Sequence, residues 1–79
     1  MEREEIYAAL QEIFEDLFGS GIPQLNDETT AQDVAGWDSL MHITLISEVE
    51  SRFDVRFSMK DVLGMKNVGE MVDLIEESV

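Results

Sequence analysis

Apolar side chains recur at helical spacing in three separate stretches of this 79-residue chain, and no other feature restricts its fold as strongly. In the first stretch, the repeating positions are Ile6, Leu10, Ile13, Phe14 and Leu17. Acidic residues occupy the rest of that helical wheel, as expected of a helix with one buried face. A glycine-rich segment and Pro23 then stop the pattern. We therefore predict a helix over residues Glu4–Phe18.

The remaining helical stretches are each preceded by a residue that can cap a helix. Asp38 stands before the apolar-periodic segment Ser39–Phe53, which predicts a second helix with those bounds. Ser58 begins a capping-box pattern for a short third helix that runs through Leu63 and ends at Gly64. Asn67 repeats the device before a last helix, whose apolar face is formed by Val68, Met71, Val72 and Ile75.

These segments predict an all-α fold: a small four-helix bundle with three longer helices and one short third helix. A chain of 79 residues suits one domain, so we assign residues 1–79 to a single domain. The long loop between helices one and two, from Gly19 to about Trp37, exceeds the usual loop length. We expect Leu25 and Val34 to hold it to the core. Within it, residues 30–33 have capping-box character, which predicts a single helical turn.

The chain carries 18 acidic against 5 basic residues, a formal net charge of −13. This charge excludes nucleic acid and an anionic membrane surface as partners, because both are bound through basic residues. It favours salt-sensitive docking onto basic patches of other proteins, although acidity that only keeps a protein soluble would look the same. Without cysteine, neither a disulfide nor a thiolate metal site is possible, so any thiol chemistry must come from a cofactor.

The N-terminal sequence lacks a signal-peptide pattern, and no apolar run approaches the roughly 18 residues that span a bilayer. No segment fits the calcium-binding pattern D-x-[DN]-x-[DN]-G with a glutamate at its end, and we predict no metal site. The lack of a signal peptide and of a membrane span leads us to expect a cytoplasmic protein, and we also expect it to be a monomer.

Ser39 occupies the first position of the predicted second helix, where backbone N–H groups lack partners and the helix dipole favours negative charge. A phosphate attached there would be well placed, and a modifying enzyme could reach a loop–helix junction. His42 lies three residues on, so a Ser–His catalytic pair is conceivable. Such a pair needs an orienting group and a water-free cleft, which one small helix does not supply. We therefore predict no catalytic residue and expect His42 to be a partly buried packing residue.

The second helix also carries apolar residues outside its core face. That core face is predicted to consist of Met41, His42, Leu45, Ile46, Val49 and Phe53. Leu40 and Ile43 fall near the rim of the opposite, polar side, beside the start of the helix. An apolar pair flanked by carboxylates is typical of a docking surface. We predict partner contacts from Leu40, Ile43, Ser47, Glu50 and Trp37, although Trp37 could equally pin the long loop to the core.

The motif GWDSL at residues 36–40, followed by the pattern xxIxLIxxxExxFxV, resembles the carrier-protein family of acyl carrier proteins and their peptidyl and D-alanyl relatives. The resemblance covers essentially the whole chain, from the acidic first helix to VGEMVDLI in the last. It implies that Ser39 receives 4′-phosphopantetheine from coenzyme A through a holo-carrier-protein synthase, with Asp38 and Leu40 flanking it in the cofactor-binding motif. It also implies a carrier of acyl thioesters, not an enzyme, that visits acyl-handling enzymes with basic docking patches.

Three positions depart from the carriers of fatty-acid synthesis, which have alanine where Trp37 stands and acidic residues at Met41 and Thr44. We therefore expect a carrier for a specialised lipid or polyketide-type pathway. An aminoacyl, peptidyl or D-alanyl carrier is an alternative, because only the cargo differs. From another class, a helical adaptor without covalent cargo would use Ser39 only as a helix-start residue. A phosphotransfer domain using His42 is less favoured, since His42 falls on the core side.

Overall fold

The computed structural model describes residues 1–79 and contains helices but no strand. The four α-helices are α1 (Arg3–Phe18), α2 (Ser39–Phe53), α3 (Met59–Gly64) and α4 (Val68–Ser78), and a 3₁₀ turn spans Ala31–Asp33 in the long loop. The predicted all-α bundle with a short third helix is confirmed. Both bounds of α2 and the end of α3 at Gly64 agree with the prediction, while α1 begins one residue earlier.

Side-chain caps explain why three helices begin where the sequence predicts. The Asp38 carboxylate accepts a hydrogen bond from the backbone N–H of Met41 at 2.9 Å, at the start of α2. Ser58 and Asn67 accept the backbone N–H three residues onward at 3.1 and 2.9 Å, at the starts of α3 and α4. Each cap satisfies one of the N–H groups that a helix leaves unpaired at its N-terminus, and so favours that starting residue.

Helix α1 packs against both α2 and α4, and the apolar faces of these helices form most of one core. The predicted core positions of α1 are buried with the exception of Leu17, which lies half-buried at the edge of the core. On α2, Met41 of the predicted core face is also only half-buried, and His42 is partly buried as predicted, because both lie in the first turn, away from the centre. The fully buried side chains of the core include Ile6, Leu10, Phe14, Leu45, Val49, Val68, Met71, Val72 and Ile75.

The long loop is tied to the N-terminal end of α4. The N–H groups of Val68 and Gly69 donate to the carbonyl oxygens of Thr29 and Asp27 at 2.8 and 3.1 Å. At Gly69 the loop comes so close that a Cβ atom would lie 2.7 Å from the Asp27 carbonyl oxygen. Leu25 and Val34 are buried, as predicted, and the predicted turn at residues 30–33 is present with its capping box. The loop is therefore an ordered part of the fold.

A polar cluster that the sequence does not predict joins the loop to α1 and α4. The Arg3 guanidinium binds the carboxylates of Asp27, Asp73 and Glu76 at 2.9, 3.0 and 2.5 Å. The Tyr7 hydroxyl donates a further hydrogen bond to Asp27. The Tyr7 hydrogen bond and the Arg3 guanidinium lower the pKa of Asp27. Burial, and then the bond to Asp27, raise the pKa of Tyr7 above its usual range.

Candidate functional site

Ser39 is the first residue of α2 and is exposed at the junction between the loop and the helix. The capping carboxylate of Asp38 turns back onto the Met41 N–H, so it stabilises the helix start without covering the serine. A hydroxyl in this position is open to a modifying enzyme. It also lies at the end of a 15-residue helix where N–H groups and the helix dipole favour an anion.

An open groove of about 390 Å³ lies beside Ser39, between the start of α2 and helix α3. Its apolar lining is supplied by Ala31, Trp37, Ile43, Val62, Leu63 and Met65. Besides Ser39 and His42, the polar lining residues are Asp38 and Lys66. The groove has room for a flexible chain that starts at the serine, and its lining would favour apolar parts of that chain.

A hydrogen-bonded bridge forms the inner wall of this groove. The indole Nε1–H of Trp37 donates to Nδ1 of His42 at 3.1 Å, and Nε2 of His42 lies 3.1 Å from the carbonyl oxygen of Val62. Since Nδ1 is an acceptor, this network assigns the ring proton to Nε2, which donates to Val62. The bridge connects the loop, α2 and α3. Both ring nitrogens are used, so His42 is not free to act as a base toward Ser39.

Trp37 is only 9% exposed and belongs to the core. Its ring meets Phe14 edge to face, with 5.1 Å between ring centroids and an interplanar angle of 85°, and it stacks on His42. Its indole packs inward, so little of its surface is open to a partner, and the contact between Trp37 and a partner stays a prediction. The alternative, in which Trp37 pins the long loop to the core, agrees with this burial.

The other predicted docking residues have different surroundings. Leu40 is 79% exposed and Ile43 is 50% exposed, so both present apolar surface beside Ser39. Ser47 is exposed one turn further along α2. Glu50, in contrast, is half-buried, and its carboxylate accepts a hydrogen bond from the Phe57 N–H at 2.9 Å. That bond holds the chain between α2 and α3, which leaves Glu50 less available to a partner than predicted.

Sequence reasoning missed the contribution of α3 to this site. Met59 and Leu63, spaced four residues apart on this short helix, are 63% and 74% exposed, and Leu63 lines the groove beside Ser39. Lys66 follows α3 and lines the same groove. The four-residue spacing of Met59 and Leu63 was a visible signal, but only the packing of α3 shows that their face is not buried.

No group of three or more histidine or acidic side chains is arranged to hold a metal ion. No helix is long and apolar enough to cross a bilayer.

Comparison with known proteins gives consistent findings. A protein family described as a phosphopantetheine attachment site matches residues 8–75. The chain is 31% identical to an acyl carrier protein of Thermotoga maritima, over 98% of this chain and 95% of that protein. It is 29% identical to a meromycolate extension acyl carrier protein of Mycolicibacterium smegmatis, over 95% of this chain and 76% of that protein. Among solved structures, it matches the solution NMR structure of a holo acyl carrier protein from Geobacter metallireducens. That match has a TM-score of 0.82 and 35% identity, and covers 91% of this chain and 83% of that one.

Proposed function

This chain belongs to the phosphopantetheine-attachment family of acyl carrier proteins, and on that basis we propose that Ser39 is the residue that carries its 4′-phosphopantetheine. The observation that carries the proposal is the exposed Ser39 hydroxyl at the start of α2, within the Asp-Ser-Leu motif and beside an open groove. The chain fits the group: the serine is accessible, the helix end favours a phosphate, and the groove has space beside it.

Loading of Ser39 by a phosphopantetheinyl transferase would be a group transfer from coenzyme A. The Ser39 oxygen forms a phosphodiester with the phosphopantetheinyl group as the pyrophosphate bond of coenzyme A breaks, adenosine 3′,5′-bisphosphate leaves, and the hydroxyl proton passes to the leaving group or to solvent. When attached, the group supplies a flexible arm whose terminal thiol holds an acyl chain as a thioester, which this cysteine-free chain cannot do itself. Tethering raises the effective concentration of that cargo at each partner enzyme.

Members of this family act in general as carriers and not as catalysts, and we infer the same of this chain. Its single histidine supports the inference, because both ring nitrogens are engaged by Trp37 and Val62. The proposed partners are the transferase and acyl-handling enzymes with basic docking patches, which the net charge of −13 would attract. We further propose that the protein is a monomer in the cytoplasm and that residues 1–79 form one carrier domain.

The proposed cargo is an acyl intermediate of a specialised lipid or polyketide-type pathway. The uncharged residues Met41 and Thr44 near the start of α2 support this, because the carriers of fatty-acid synthesis have carboxylates at these positions that their enzymes would use for docking. An aminoacyl, peptidyl or D-alanyl cargo is the alternative within the family.

Intact-mass measurement after co-expression with a phosphopantetheinyl transferase tests the attachment site. We expect a gain of one phosphopantetheine, which Ser39→Ala abolishes and Ser51→Ala leaves in place, because Ser51 is exposed on the same helix but away from the motif. An unmodified wild-type chain under conditions that load another carrier would refute the proposal and favour a non-covalent adaptor. Loading that persists in Ser39→Ala would place the group elsewhere.

Leu40 offers a test of docking. Its side chain lies next to the attachment site and is almost fully exposed, so Leu40→Ala should weaken transferase binding by about 1–2 kcal/mol, as loss of a central apolar contact does. The matched control is Val79→Ala, which removes exposed apolar surface at the end of α4. Titration of the apo protein against the transferase measures both. Equal affinities for Leu40→Ala and wild type would remove Leu40 from the docking surface.

A further inference from the structure

Lys66 is the only lysine or arginine that lines the groove beside Ser39. Its side chain is exposed and takes part in no ion pair. Of the other cations, Arg3 binds three carboxylates and Arg52 pairs with Glu12 at 2.9 Å, while Arg56 and Lys60 do not line this groove. The groove therefore contains one ammonium group without an anionic partner, in a chain whose net charge is −13.

The backbone of Lys66 is held in place although its side chain is not. Its N–H donates to the Glu70 carboxylate at 2.9 Å, and the next residue, Asn67, caps α4. The start of α4 therefore fixes where the lysine side chain begins, at the wall of the groove opposite α2. The flexible four-carbon stem of lysine then lets the ammonium group adjust to an anion at the groove opening.

The charges that line the groove indicate which anion this would be. The only other charged lining residue is Asp38, whose carboxylate is bound to the Met41 N–H. A phosphodiester on Ser39 would add a negative charge to a strongly negative protein, and Lys66 is the cation positioned to balance it. We propose, on the basis of the function proposed above, that the Lys66 ammonium pairs with the phosphodiester on Ser39 and draws the start of the arm across the groove toward α3.

This pairing gives the arm a preferred direction without trapping it. An arm drawn toward Lys66 passes over apolar surface from Ile43 and Leu63, which line the same groove. Exposed ion pairs are weak and are screened by salt, so a partner enzyme can take the arm out of the groove. Lys66 is thus a positioning residue for the prosthetic group and not a catalytic one.

NMR of the loaded protein tests the pairing without any enzyme assay. We would measure the amide shift changes of residues 62–66 on loading, and the transverse relaxation rate of the phosphodiester ³¹P nucleus, in wild type, K66Q and K60Q. K60Q is the matched control, because it removes the same charge from a residue that lines a different groove, together with Glu70, Asp73 and Glu77. K66R keeps the charge, and should keep the wild-type behaviour.

We expect K66Q to reduce the shift changes at residues 62–66 to about half or less and to slow ³¹P relaxation, as loss of one exposed ion pair would. K60Q should match wild type, and about 0.5 M NaCl should move wild type toward K66Q. If loaded K66Q and K60Q both match wild type, the pairing is wrong while the attachment at Ser39 stands. If Ser39 cannot be loaded, the attachment and the pairing are both refuted.

Discussion

The bridge between Trp37 and His42 predicts a measurable coupling between two residues that are five positions apart. Replacing His42 with leucine removes the acceptor of the Trp37 Nε1–H and the donor to the Val62 carbonyl, whose bonds are both 3.1 Å long. Each bond contributes about 1 kcal/mol net, and a buried donor left unpaired costs about 1–3 kcal/mol. Because Trp37 is 9% exposed, water reaches its N–H poorly. We therefore expect His42→Leu to lower the free energy of unfolding by about 2–4 kcal/mol.

A double-mutant cycle isolates the bond between the two rings. Trp37→Phe removes the indole N–H together with some packing volume, and the cycle with His42→Leu cancels the packing loss. The coupling free energy should be about 1 kcal/mol in favour of the native pair. Urea unfolding followed by far-UV circular dichroism gives the stabilities of all four proteins, including those without the single tryptophan.

Ser47 is exposed on the same helix, so Ser47→Ala serves as the control and should change the free energy of unfolding by less than about 0.5 kcal/mol. For a domain of this size, the loss in His42→Leu corresponds to a melting temperature about 12–24 °C lower. A coupling free energy of zero would show that the two rings do not share a hydrogen bond. A stability for His42→Leu equal to that of wild type would show that His42 does not connect α2 with α3.

Three further predictions follow from other parts of the fold. Gly69→Ala should destabilise the protein by about 1–3 kcal/mol in urea unfolding, because the added Cβ would meet the Asp27 carbonyl oxygen. The control Gly64→Ala has open space around it and should stabilise the protein by up to about 1 kcal/mol. Equal effects of the two substitutions would refute the close contact at Gly69. Tyr7 and Arg3 lower the pKa of Asp27, so the ionised carboxylate of Asp27 stabilises the fold. This contribution is complete at pH values above the ordinary aspartate pKa of about 4, and it is lost as the pH falls through the lowered pKa. The stability difference between wild type and Asp27→Asn should therefore be full at neutral pH and shrink in acid; a difference independent of pH would contradict the cluster. Finally, the net charge of −13 predicts that NaCl raises the melting temperature, and a temperature indifferent to ionic strength would show that repulsion among the carboxylates is negligible.

The helices could be predicted closely because their signals are local. Asp38, Ser58 and Asn67 cap the helices that follow them, and a capping bond joins residues only three positions apart. The apolar spacing likewise shows which side of a helix is buried whatever it packs against. Ser39 could be assigned as the candidate attachment residue for the same reason, since its motif and its place at a helix start are both local properties.

Contacts between different elements explain what the sequence did not show about the predicted partner-contact residues. The surroundings of Trp37 depend on α1, which supplies Phe14, and on α2, which supplies His42. Glu50 was expected to face a partner, but the turn after α2 brings the Phe57 N–H to its carboxylate. The helical wheel of α2 cannot show either contact, because it contains no information about neighbouring elements.

By itself, the sequence determined that this chain forms capped amphipathic helices, that a serine begins the second one, and that the chain is strongly acidic. Periodicity, capping and charge act within a few residues or over the whole composition, so no tertiary contact is needed to recognise them. The tertiary structure alone decided which side chains surround that serine: a buried Trp37, a histidine with both nitrogens occupied, exposed apolar residues on α3, and Lys66 in the groove. The α3 residues and Lys66 are distant from Ser39 in the chain, and the burial of Trp37 and the second hydrogen bond of His42 depend on Phe14 of α1 and Val62 of α3. Only the packing of these helices brings the site together.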